Sequence, residues 1–215
     1  MPMPVRPNSA RTGRAAAVVA TAGIVSLTAL AAGPAAADPG ATTAPRGPVT
    51  KDVTFTCEFP MVGARPTQAK VNATFPDSAK VGESINVTDF KVDVTIDEQT
   101  ADALRLIGGA SVEGTAATGV DLNVNGTDLG VTLNGLSIPS TPVPESGPLP
   151  TQITGAVPGL TVKQPGQVTF AVGSNFVGKI TPKKADGTET ELGTFDLPCT
   201  LDQGQDPSLA TVQVQ

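Results

Sequence analysis

The chain has 215 residues, a formal net charge of −6, seven Phe, and no His, Trp or Tyr. Because an acidic protein repels phosphate backbones and anionic lipid surfaces, we expect no nucleic-acid partner. The lack of histidine excludes the Ser–His and Cys–His nucleophile pairs that many hydrolases use.

The first 37 residues have the pattern of a secretory signal peptide. Three arginines precede an apolar run at 15–32, and Ala35–Ala37 offers a cleavage site of small residues. The alternative is a retained membrane anchor, but the Ala, Gly and Thr content of the run makes a poor spanning helix. We therefore expect cleavage before Asp38, no membrane span afterwards, and a secreted location, either extracellular or associated with the cell wall.

The mature chain divides into three parts. Residues 38–50 are rich in Pro and Thr and predict a flexible spacer. The patterned region 51–202 is long enough for one domain with its own core. Residues 203–215 are mostly polar, and we expect them to form a disordered tail.

Alternation of apolar and polar residues predicts that the region 51–202 is mainly β-structure. Many short strands, separated by Gly, Pro, Asn and Asp turn signals, favour an immunoglobulin-like sandwich of two antiparallel sheets. The clearest predicted strands lie within 53–59, 69–75, 90–96, 120–124, 129–133, 168–172 and 195–199.

One segment has a helical period instead. Asp97–Ile107 combines a polar start with an apolar stripe at Ala101, Leu104 and Ile107, and Gly108 follows as a stop signal. We expect one short connecting helix that packs over an end of the sandwich. Docking of this helix on a membrane or a partner is the alternative, but about three turns bury little area alone.

Cys57 and Cys199 are the only cysteines. In an oxidising compartment, a pair near the two ends of a domain predicts one disulfide, here joining the first strand to the last. A redox or metal-binding thiol pair is the alternative. It is disfavoured because the chain has neither a Cys-x-x-Cys spacing nor a histidine, and we expect no metal site.

The segment Asp121–Gly126 resembles the first half of a calcium-binding loop, with oxygen ligands at alternate positions before a glycine. The second half does not fit, because Asp128 stands where an apolar residue is usual and Thr132 replaces the bidentate acid. The same residues also predict a strand that runs into an Asn125–Gly126 hairpin turn, which we prefer.

Two carboxylates suffice for glycoside hydrolysis without histidine, so the acids of the strand around Phe90 are candidate catalytic groups. Asp89, Asp93 and Asp97 lie opposite the apolar face of that strand, as expected of a solvated surface. Without exposed Trp or Tyr, sugar stacking is also disfavoured. We expect no catalytic residues, no cofactor and no enzymatic activity.

Two surfaces are candidates for binding another protein. The segment 138–150 contains five prolines and predicts a semi-rigid loop. Pro182 predicts an edge strand, because proline cannot donate to a sheet ladder. Unused backbone groups at such places can pair with another chain.

The segments Phe55–Pro60 and Leu197–Thr200 resemble the opening and closing strands of a domain of unknown function from secreted actinobacterial proteins. In that family, a Cys lies near each end of the domain. The resemblance covers about 53–201 and implies no catalytic role for any residue.

These observations predict a secreted, non-catalytic binding or structural protein of the cell envelope or extracellular space. Its partner would be an envelope or extracellular protein. One alternative is a carrier that holds an apolar ligand inside the sandwich, which requires a cavity of several hundred cubic ångströms. The other is a carboxylate-dependent hydrolase, which requires two facing acids in a concave site.

Overall fold

The computed structural model describes residues 47–215, so the predicted signal peptide and residues 38–46 of the predicted spacer lie outside the described residues. The last four spacer residues open the first strand. The helix α1 covers Glu98–Leu106. The strands are β1 (Gly47–Phe59), β2 (Gly63–Phe75), β3 (Ser78–Ala79), β4 (Ser84–Ile85), β5 (Thr88–Ile96), β6 (Ser111–Val124), β7 (Thr127–Pro142), β8 (Leu149–Thr154), β9 (Leu160–Thr161), β10 (Gly166–Lys183), β11 (Phe195–Leu201) and β12 (Ser208–Val214).

Eight of these strands form a closed antiparallel barrel. The order around it is β1-β2-β5-β8-β7-β6-β10-β11, and β11 pairs with β1 to complete the ring. The prediction of an immunoglobulin-like sandwich is therefore wrong. An alternating strand has one apolar face in either architecture, so the alternation does not reveal whether the outermost strands of a sheet meet.

Closure depends on long strands that bend. The 18-residue β10 pairs with β12 before an irregularity between Val172 and Phe176, and with β11 after it. An irregularity of this kind bends a strand and increases its twist. Gly119 and Gly173 touch at the bend, where a Cβ on Gly173 would lie 2.4 Å from the carbonyl carbon of Gly119. Any side chain at Gly173 would force the two strands apart.

The predicted disordered tail at 203–215 instead contains β12. This strand pairs with β10 and, in parallel, with β3. Ala210, Val212 and Val214 are all buried. They alternate with Thr and Gln, which is the two-residue period of a strand. The prediction of disorder followed the polar composition of the tail and overlooked this period.

The largest buried cluster lies where β10, β11 and β12 face β1 and β2. Its aromatic contacts are tilted ring pairs, with centroids 5.1 Å apart for Phe75 and Phe170. Val168 and Val212 belong to the same cluster and are completely buried. Most of the phenylalanines thus serve the core, as their strand positions predict.

The predicted helix is confirmed. Asp97 caps its N-terminus by accepting a hydrogen bond from the backbone N–H of Thr100 at 3.1 Å. Ala101 and Leu104 are buried against Val112 and Leu149, so the apolar stripe packs on one end of the barrel. The helix therefore belongs to the domain core.

Candidate functional site

Cys57 and Cys199 form the predicted disulfide. They are direct partners in the register of β1 and β11, with Cα atoms 4.0 Å apart and 142 positions apart in sequence. Both side chains are buried, and the bridge uses both cysteines of the chain. The bridge joins β1 to β11, which is the penultimate strand rather than the last.

The calcium-like segment forms the hairpin turn between β6 and β7. Asn125 and Gly126 have φ angles of 52° and 85°, the two positive values that a two-residue type I′ turn requires. The Asn123 side chain accepts a hydrogen bond from the Gly126 backbone N–H and donates one to Asp128 at 2.6 Å. These oxygen-bearing side chains therefore stabilise the turn.

The acids of the β5 region each have a structural partner. Asp93 accepts hydrogen bonds from Asn72 and Gln152, at 3.1 and 2.9 Å. Asp89 has a positive φ of 54° and accepts a hydrogen bond from the adjacent Thr88 hydroxyl. They do not face each other across a concave site.

Asp97 is held by the barrel as well as by its own helix. The Arg65 guanidinium on β2 donates to both carboxylate oxygens of Asp97, at 3.0 and 3.3 Å. Burial acts to raise the pKa of Asp97, but hydrogen bonds from Arg65 and Thr100 outweigh it and lower the pKa below its ordinary value. An Asp97 that is charged at neutral pH suits a cap and an ion pair better than proton transfer.

Neither of the two predicted binding surfaces is a free sheet edge. Pro182 is almost completely buried and pairs with Val112 on β6. Ile138 and Pro150 lie within β7 and β8, and Arg105 holds the short connection between these strands. Its guanidinium donates to the backbone oxygens of Pro144 and Gly147, at 2.7 and 2.6 Å.

A free edge occurs elsewhere, on the N-terminal half of β7. Thr127–Thr132 pairs with β6 on one side, and no strand of the described chain pairs with it on the other. These are six consecutive exposed residues, including Leu129 and Val131 at 46% and 40% exposure. We call Thr127–Thr132 the β7 edge. Unpaired backbone groups on an edge strand are a template for another strand.

Sequence reasoning missed the β7 edge because a strand's neighbours are not encoded in its own residues. The alternation Leu129, Val131 and Leu133 predicts a strand with one apolar face, and only Leu133 of these is buried. No local signal distinguishes the covered part of that face from the uncovered part.

The barrel interior holds two small apolar cavities, with volumes of about 70 and about 60 Å³. Neither approaches the size that a lipid-sized ligand requires. Among the described side chains, no group of three or more Cys, Asp or Glu has the geometry of a metal site. Within residues 47–215, no helix is long and apolar enough to cross a bilayer.

The fold and these features define a small closed antiparallel barrel with one buried disulfide and one capping helix. The chain belongs to DUF6801, a family of unknown function, whose model matches residues 54–210. The predicted membership of a domain family of unknown function is thereby confirmed, over nearly the residues expected. Searches of curated proteins and of solved structures found no significant match.

Proposed function

We propose that the protein is an exported, non-catalytic binding protein that takes an extended segment of an envelope or extracellular protein onto its β7 edge. The observation that carries this proposal is the run of six exposed residues in the part of β7 that pairs on one side only. An added strand would complete the backbone hydrogen bonding of that edge.

The side chains of the β7 edge suggest the chemistry of the segment. Leu129 and Val131 lie on one face of the strand and favour apolar side chains in the added strand. Asp128 lies on the other face, in a surface concavity that also contains Asp121 and, among the residues that line it, no lysine or arginine. A segment that alternates apolar residues with lysine or arginine therefore suits both faces.

Export is supported by the leader pattern of the first 37 residues and by the disulfide, since such bridges persist in oxidising compartments. The Ala- and Pro-rich leader also suits the actinobacterial origin that the sequence resemblance implies. A non-catalytic role is supported by the hydrogen bonds that Asp93 accepts from Asn72 and Asp97 accepts from Arg65. A hydrolase is less well supported, because Asp93 and Asp97 do not converge on one cavity and Asp128, which shares a concavity with Asp121, is bound by the Asn123 side chain.

A photo-crosslinking amino acid at Val131 tests the proposal in the full-length protein secreted by its own culture. We expect crosslinks to an extended segment of another envelope protein. A synthetic peptide of that segment should then slow amide hydrogen exchange along the β7 edge. Val131→Lys should weaken peptide binding at least tenfold, because inward charges on an edge oppose strand addition.

Val177→Lys is the matched control, because Val177 is exposed to 43% on β10 and pairs on both sides. It should leave binding unchanged. Equal losses in the two variants, or peptide protection confined to other strands, would contradict the proposal. A crosslink exclusively to a second copy of this chain would also contradict it.

A further inference from the structure

The barrel interior has a polar group without a partner. Thr67 lies on β2 opposite Phe55 in the register with β1, and its side chain is buried at 6% exposure. Its Oγ1 has no hydrogen-bond partner within the described residues. A buried hydroxyl without a partner destabilises a fold by about 1–3 kcal/mol, so native proteins rarely retain one.

Thr67 lies in the wall shared by the two apolar cavities. They share five lining residues, which are Cys57, Thr67, Val94, Ile153 and Phe176. The cavities therefore occupy successive parts of the same interior, with Thr67 beside both. Each cavity has less than half of the roughly 150 Å³ of an apolar cavity that binds benzene, so a benzene-sized molecule must span both.

The other threonines of the cavity walls are satisfied. The Thr118 hydroxyl donates to the backbone oxygen of Gly119 at 3.3 Å, and the Thr151 and Thr141 hydroxyls pair at 3.2 Å. A buried water needs two to four polar partners, and these walls offer Thr67 as their one unpaired hydroxyl among the described residues. A ligand atom that accepts or donates a hydrogen bond suits Thr67 better than water.

We infer that the barrel interior is a binding site for a small apolar molecule of about benzene size that carries one hydrogen-bonding oxygen. The Thr67 hydroxyl is its polar contact, and the apolar walls hold the rest of the molecule. This site is independent of strand addition at the β7 edge.

The test compares phenol with benzene, which differ by one hydroxyl, using the intact disulfide-bonded protein. Binding is measured by chemical-shift titration of the cavity methyl groups. We expect phenol to bind about tenfold more tightly than benzene, the ratio that one neutral hydrogen bond gives. Thr67→Val, which keeps the side-chain shape, should abolish this ratio and still bind benzene, whereas Thr67→Ser should preserve it.

Thr190→Val is the matched control. Thr190 is the second buried threonine with an unpaired hydroxyl in the described chain, but it lines neither cavity. It should leave the phenol preference unchanged. Failure of both probes to shift cavity methyls would overturn the inference, as would a phenol preference that survives Thr67→Val. Loss of the preference in Thr190→Val as well would also overturn it.

Thr67→Val itself is expected to fold, because it removes a buried hydroxyl that has no partner. Its melting temperature should equal or exceed that of the parent protein. A melting temperature several degrees lower would show that Thr67 Oγ1 already has a partner in the free protein, which overturns the inference.

Discussion

The barrel closes at two very different seams. At one, β11 pairs with β1 on one side and β10 on the other, and Cys57–Cys199 crosslinks it to β1. At the other, β7 and β8 share one backbone pair, Ser137↔Thr154, and a hydrogen bond between the Thr141 and Thr151 hydroxyls. The first seam joins parts of the chain far apart in sequence and is covalently secured. The second joins consecutive strands and leaves the adjoining β7 edge unpaired. The covalent crosslink and the unpaired edge thus lie in different parts of one sheet.

Removal of the disulfide should lower the free energy of unfolding more than any other change proposed for the two seams. Replacing both cysteines, Cys57→Ala with Cys199→Ala, should lower the free energy of unfolding by about 5 kcal/mol in the chain-entropy model, because the bridge closes a loop of 142 positions. Denaturant titration measures the change. Reduction of the parent protein should produce a similar loss, and an unchanged midpoint would show that the ladders alone secure this seam.

Truncation beside the weak seam should have a smaller effect. Leu136 is buried at 1% exposure, so Leu136→Ala should lower the free energy of unfolding by about 3 kcal/mol through lost burial and a new cavity. Leu129→Ala, in the exposed part of the same strand, should change it by less than about 0.5 kcal/mol. Equal losses at both positions would show that the β7 edge is packed in solution.

Asp97 offers a test at the end of the barrel that α1 covers. Asp97→Ala removes an N-cap and the partner of Arg65, and should cost about 1 kcal/mol at pH 7. Because the pKa of Asp97 is lowered in the folded state, its contribution is complete above the unfolded pKa of about 4.

The difference between parent and Asp97→Ala should therefore shrink as the pH falls below about 4, through the folded-state pKa. Unfolding titrations at pH 7 and at low pH measure it. Asp196→Ala is the control, since Asp196 and its partner Lys179 are both more than 60% exposed and their ion pair should contribute little. A difference independent of pH would mean that the Asp97 charge contributes nothing.

Calcium should have the smallest effect. The Asp121–Asp128 segment is the hairpin between β6 and β7, so calcium or a chelator should leave the melting temperature unchanged. A calcium-dependent rise that disappears in Asp121→Ala would show that the turn is a cation site.

Local sequence signals determined those features whose causes lie within a few residues. Asp97 and Gly108 bound a helix, and Asn125–Gly126 specifies a hairpin, because caps and turns depend on backbone conformation at single positions. The disulfide was also predictable, because the leader pattern predicts an oxidising compartment and two cysteines have one pairing to make.

Only the tertiary structure decided how the strands assemble. Closure of the barrel, the burial of Pro182 and the pairing of β12 depend on which strands meet, and alternation specifies a face without specifying a neighbour. For the same reason, neither the β7 edge nor the cavity site at Thr67 could be predicted from the sequence. The β7 edge is free because β8 ends at Thr154, opposite Ser137, and Thr67 lacks a partner because the opposing barrel walls are apolar.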